Sequence, residues 1–136
     1  MSEPESPAPV AVALMSFGYK FGIPADAGFV MDARMLRNPF WVPELRSFTG
    51  LDAQVRDYVL EDEAAGELID RTHALVLWSA RRYAERNRTS LEVAVGCTGG
   101  RHRSVAIVEA VAQRLRQGGM AVAIRHRDVD VPDPRL

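Results

Sequence analysis

LEVAVGCTGGRHRSVAIVEAVA, residues 91–112, reads as a buried strand, a glycine turn and then a helix. Residues 91–95 alternate and end apolar, with Val93 and Val95 favouring extended backbone. Gly96, Gly99 and Gly100 relieve steric limits where the chain must reverse. From Ser104 the apolar spacing turns helical and puts Val105, Val108, Val111 and Ala112 on one side. A turn of this kind aims several backbone N–H groups, and the positive end of a helix dipole, at one point. Arg101, His102 and Arg103 bring side-chain cations to the same point. An anion, above all a phosphate, belongs there.

Working outward, Val10–Phe17 (VAVALMSF) is a near-continuous apolar run, as a buried parallel strand requires. The loop at its carboxyl end, Gly18 to Pro24, carries Lys20. A second strand is expected over 27–32, with Phe29, Val30 and Met31 as its body and Asp32 and Arg34 at its end. Residues 35–51 read as loop, broken by Asn38-Pro39, Pro43 and Gly50. Asp52 is positioned to cap a short helix through Leu60. A longer helix is expected over about 63–86, striped by Leu68, Ile69, Thr72, Leu75, Val76 and Tyr83. Its Arg81, Arg82, Arg86 and Arg88 suit a solvated carboxyl-terminal end. Gly118-Gly119 closes the last helix, and Met120–Ile124 forms a final strand that delivers Arg125, His126, Arg127 and Asp128.

These elements predict one α/β domain over 10–128, a mainly parallel sheet of about four strands flanked by helices. Residues 1–9 are expected to be a flexible leader and 129–136 a flexible acidic tail. In parallel sheets ligands bind at the carboxyl ends of the strands. That rule gathers Lys20, Asp32, Arg34, the 97–104 turn and Arg125, His126 and Arg127 on one rim. Trp41 and Trp78 are expected in the core, with Trp41 the one nearer the rim, and His73 at a core edge or on the surface.

Composition narrows the class. The chain has 136 residues, 47% of them hydrophobic, enough for one folded core. A formal net charge of −1 argues against a globally basic nucleic-acid coat. The single Cys97 excludes an internal disulfide and a multi-cysteine zinc site. No ligand spacing links Cys97, His102 and His126 into a metal site, and no cofactor is called for. The turn lacks the glycine–lysine pair of a Walker A loop. No apolar run is long enough to span a membrane and the acidic start is unlike a signal peptide, so the expected location is cytoplasmic.

Cys97 to Ser104 fits the spacing C-x5-R-[ST] and resembles the signature of the protein tyrosine phosphatases. Such an enzyme would use Cys97 as nucleophile, Arg103 as phosphate clamp and Asp32 or Asp128 as general acid. The position before the cysteine, usually histidine in those enzymes, is here Gly96. A wider resemblance covers roughly residues 16–128. GYKFGIPADAGFVMDARMLRNPFWVPELRSFTGLD, VAVGCTGGRHRSVAI and RHRD together resemble the RapZ C-terminal domain. That resemblance implies a non-catalytic sensor that binds glucosamine-6-phosphate or a similar anion, binds a regulatory RNA or protein partner, and self-associates. It places Asp32, Arg34, Cys97, Thr98, Gly99, Gly100, His102 and Arg103 at motif positions, beside Lys20, Arg101, Ser104, Arg125, His126 and Arg127 from the strand-end argument. Two departures stand out. Asn38-Pro39-Phe40-Trp41 has phenylalanine where the family pattern has histidine, and the tail is acidic where the family's is lysine-rich. The chain is expected to be a stand-alone version without the family's nucleotide-binding domain.

Overall fold

A computed structural model describes residues 9–134; residues 1–8 of the expected leader and 135–136 of the expected tail lie outside the described residues. Four strands, β1 (Ala11–Gly18), β2 (Phe29–Asp32), β3 (Ser90–Cys97) and β4 (Val122–His126), form a sheet in the order β2-β3-β1-β4. Every pairing is parallel. Three helices complete the domain: α1 (Ala53–Leu60), α2 (Glu63–Glu85) and α3 (Arg103–Gln117). The expected α/β domain with a parallel sheet is therefore the observed one.

Strand alternation explains the core. Val12 and Leu14 of β1, and Leu91, Val93 and Val95 of β3, point to one face and join Ile107, Val108, Val111 and Leu115 of α3 in a single cluster. Val55 and Val59 of α1 and Ile69 and Val76 of α2 complete it. Each of these fully buried branched side chains stabilises the fold by roughly 1.5–3 kcal/mol. The α3 helix packs on β1, β3 and β4 at the centre of this layer, so it is buried beyond the single stripe its sequence suggested.

The other face carries Ala13, Met15, Ala94, Ala123 and Arg125, and the segment 24–27 lies against it, leaving a groove of about 370 Å³. That segment belongs to the connection from β1 to β2, which skips the position of β3. The connection leaving β3, through α3, lies on the opposite face. Loops leaving the two central strands thus diverge to opposite faces, which makes the carboxyl ends of β1 and β3 the topological switch point. Gly18 and Cys97 are register partners there.

Two expectations change. Trp41 and Trp78 are exposed (69% and 59%) rather than core residues. The sheet centre is filled by Val, Leu and Ile; Trp78 lies on the outward side of α2, and Trp41 ends a single 3-10 turn, Pro39–Trp41, in the connection from β2 to α1. The last strand runs to His126 instead of stopping at Ile124, because Arg125 and His126 still pair with Met15 and Ser16 of β1.

Candidate functional site

The switch point is built by close backbone approach. A side chain at Gly100 would put its Cβ 2.5 Å from the Gly18 nitrogen, and Gly100 itself has φ of +77°. Only glycine accepts both conditions, so the loop after β3 lies directly on the end of β1. Asp128 locks this junction. Its carboxylate is buried, accepts the Gly18 N–H at 2.7 Å and pairs with the Arg127 guanidinium at 2.8 Å. The loop is further held by the Lys20 N–H donating to the Thr98 carbonyl and the Gly50 N–H donating to the Arg101 carbonyl.

The loop then enters the 15-residue helix α3. Among the described residues, none accepts a hydrogen bond from the backbone N–H of Thr98, Gly99 or Gly100. The helix amino terminus adds its own orphan donors and its partial positive charge. Cys97 stays in the core, with its Sγ 3.1 Å from the Ser104 Oγ and the residue only 2% exposed.

The three basic residues of the loop behave differently from what the sequence suggested. Arg101 donates from Nη1 to the carbonyl of Val129 (2.9 Å), with Ser47 near its other nitrogen. His102 is 7% exposed, with Nε2 3.1 Å from the Arg46 carbonyl. Burial pushes its imidazole below the ordinary value of 6.5; the carbonyls of Arg46 and Phe48 oppose this and the Arg101 and Arg103 charges reinforce it. His102 is thus neutral at pH 7 and supplies no cation. Arg103 is 5% exposed and donates from Nη1 to the carbonyls of Arg34 (2.7 Å) and Leu36 (3.2 Å) and from Nη2 to the Thr98 hydroxyl. These side chains tie neighbouring segments to the loop, while the Arg101 and Arg103 guanidinium charges remain beside it.

Around the rim, Asp32 and Arg34 form a two-pronged ion pair at 2.8 Å. Hydrogen bonding from Arg34 lowers the Asp32 pKa, and the Arg34 guanidinium stacks 3.7 Å above the Tyr19 ring. Burial raises the Tyr19 pKa, and the Asp32 charge raises it further. An ionised Asp32 and a buried, doubly engaged Asp128 are both ill suited to donate a proton to a leaving group. Lys20 reaches Asp133 at 3.5 Å.

Arg125 and His126 are not brought to the loop. As strand residues they point to opposite faces. Arg125 lines the groove beside Met15, whereas His126 faces the helices, with Nδ1 2.7 Å from the Ser16 hydroxyl and Nε2 3.5 Å from Glu109. Arg127 does reach the rim, donating to the Gly22 carbonyl as well as to Asp128.

Sequence reasoning missed Asp133. Residues 129–133, expected to belong to a flexible acidic tail, return over the loop: Val129 and Asp133 are buried and the Val131 N–H donates to the Asp128 carbonyl. The apolar alternation of Val129 and Val131 between aspartates was the available signal. Tyr19, the platform under Arg34, was also passed over.

A parallel α/β domain with a glycine loop and a helix amino terminus at its switch point is the class that fold and site define. The chain belongs to the RapZ C-terminal domain family, which it matches over residues 10–130. Similar full-length proteins include a nucleotide-binding protein of Bifidobacterium adolescentis, 50% identical over 91% of this chain and 40% of that protein. One of Leifsonia xyli subsp. xyli is 52% identical over 92% of this chain and 43% of its own length, and one of Frankia casuarinae is 51% identical over 85% and 40%. The chain thus spans about two fifths of the curated relatives it matches. No helix among the described residues is long and apolar enough to cross a membrane.

Proposed function

We propose that this domain is a non-catalytic sensor that binds a small phosphorylated metabolite at the Cys97–Ser104 loop. One observation carries the reading: the N–H groups of Thr98, Gly99 and Gly100 have no acceptor among the described residues and lie at the amino end of α3, beside Lys20. Backbone donors at a helix amino terminus match phosphate oxygens in charge and spacing. Asp32 accepts from an amine or hydroxyl elsewhere on the ligand, which fits an amino-sugar phosphate. The relatives are named for nucleotide binding. This chain has no glycine–lysine pair of the Walker A type, and its small site favours a sugar phosphate over a nucleoside triphosphate. The response is read out by a regulatory partner, protein or RNA, in a cytoplasmic setting.

Calorimetric titration with glucosamine-6-phosphate, glucosamine and inorganic phosphate tests this, with phosphate release followed in the same samples. Saturable binding of the sugar phosphate, weaker binding of phosphate and no release are expected, with Lys20→Gln reducing affinity. Release that depends on Cys97 would replace the sensor by a phosphatase, and no binding of either phosphate would remove the site.

A further inference from the structure

The anion loop is covered by the chain's own acidic segment. Asp133 is 7% exposed although it is a carboxylate near the end of the described chain. It lines the same small space as Asn38, Phe40, Thr98, Gly99 and Arg103, and it pairs with Lys20 at 3.5 Å. The segment before it is tied down at its root by Arg101 donating to the Val129 carbonyl at 2.9 Å, and more loosely at Val131, whose N–H donates to the Asp128 carbonyl and whose own carbonyl lies 3.5 Å from Arg101 Nη1. With this segment in place the free space in the site is about 10 Å³. That is room for about one water molecule. A phosphoryl group with its oxygens does not fit beside the Asp133 carboxylate, and two anions beside Lys20 repel one another.

We propose that residues 129–133 form an autoinhibitory strap in which Asp133 occupies the anion site as an internal competitor, and that a phosphate monoester binds by displacing it and taking over Lys20. This rests on the loop being the phosphate site. It adds selection to that reading. A monoanion gains no more from Lys20 and the helix terminus than Asp133 does, whereas a dianionic phosphate gains more from the same donors. The Arg101 contact to Val129 keeps the strap's root close to the loop, so release needs only residues 131–133 to swing away. Strap position then differs between the empty and filled site, and a partner that reads this surface distinguishes the two.

The test compares the full chain with Asp133→Asn, with a stop introduced after Val131, and with the double variant Asp133→Asn, Lys20→Gln. Each is titrated with glucosamine-6-phosphate and with inorganic phosphate at pH 8, after circular dichroism has shown that it folds. Apparent affinity scales with the open fraction, and removal of a partly exposed ion pair raises that fraction about five-fold. Both single changes are therefore expected to tighten binding by about five-fold, and the double variant to lose the gain. Amides of residues 129–133 should exchange faster in the parent chain when glucosamine-6-phosphate saturates it. Equal, measurable affinities in the parent chain, Asp133→Asn and the truncated form would overturn the strap and leave the loop reading intact. Weaker binding by Asp133→Asn would also overturn it, by making Asp133 a ligand contact. If no folded form binds either probe, the loop reading fails and the strap falls with it.

Discussion

Replacing Gly100 by alanine separates two costs that the switch point imposes on its backbone. The first is conformational: at φ of +77° an L-residue is disfavoured by roughly 1–2 kcal/mol. The second is steric. The new Cβ would lie 2.5 Å from the Gly18 nitrogen, 2.8 Å from the Phe17 carbonyl carbon and 2.9 Å from the Asp128 Cβ. Two of these are backbone atoms of a central strand, so no flexible side chain can move aside, and the overpacking costs about 2 kcal/mol more. The sum, about 3 kcal/mol, corresponds to a fall in Tm of roughly 12 °C for a domain of this size. Gly119 supplies the internal control. Its φ is +89°, but nothing lies within 4 Å of its would-be Cβ. Gly119→Ala should therefore show the conformational cost alone, about 1 kcal/mol and ~4 °C. Thermal unfolding of both variants by circular dichroism gives the difference directly. If the two fell by the same amount, the close packing of the loop on β1 would be refuted and only backbone strain would remain.

Other outcomes follow from single contacts. Asp128→Ala leaves the buried Gly18 N–H and the Arg127 guanidinium without their carboxylate, and a loss of about 3 kcal/mol in urea unfolding is expected, with Asp128→Asn costing about half. Arg103→Lys should destabilise by about 2 kcal/mol, because an ammonium does not reproduce the fork that spans the Arg34 and Leu36 carbonyls and the Thr98 hydroxyl; an unchanged urea midpoint would refute that tethering role. His102 and His73 both have folded-state pKa values below 6.5, chiefly through burial. The unfolded chain therefore binds more protons than the folded one in that range, and stability falls as pH drops through the unfolded value of about 6.5. His102→Gln should flatten the dependence of the urea midpoint between pH 8 and pH 5.5, and an equally steep profile in the variant would contradict the buried, neutral imidazole.

Much of the sheet was legible because its two central strands are largely apolar runs, Ala11–Gly18 almost throughout and Ser90–Cys97 apart from its exposed start and Glu92. Such runs read as parallel strands whatever packs on them. The helices were legible from their period, and in the structure the Asp62 side chain caps α2 by accepting from Ala64. Asp52 was read as a cap of α1, yet its carboxylate accepts from Thr49 of the preceding turn, a competition between local partners that spacing cannot resolve. The end of β4 was misjudged because charged Arg125 and His126 look like a strand terminus, while backbone pairing to β1 continues through both. The rim was legible in part. Strand-end reasoning placed Lys20, Asp32, Arg34, Arg127 and the loop together, since that follows from topology. The direction of each guanidinium did not follow. A side chain as long as arginine takes whichever carbonyls the tertiary fold leaves unpaired, and those carbonyls come from segments distant in sequence.

That last point changes how the loop is understood. Its basic run, Arg101-His102-Arg103, suggests a cluster of cations awaiting an anion. In the folded domain Arg101 holds the strap, His102 is neutral beneath Arg46, and Arg103 fastens the segment after β2 to the loop. In the proposed reading an anion would meet the backbone of Thr98, Gly99 and Gly100, with Lys20 as the cation that changes partners. A site of this kind has a distinctive sensitivity. If the loop is the anion site, substituting Arg103 weakens binding by letting the loop shift, and looks like the loss of a ligand contact in any assay that measures affinity alone. Substituting Lys20 weakens binding without lowering stability, because its ion pair with Asp133 is partly exposed and contributes at most about 1 kcal/mol. Measured together, affinity and Tm separate the two kinds of residue: Arg103→Ala should lower both, and Lys20→Gln affinity alone. A loss of affinity in Arg103→Ala with Tm unchanged would return the guanidinium to the ligand and reverse this assignment.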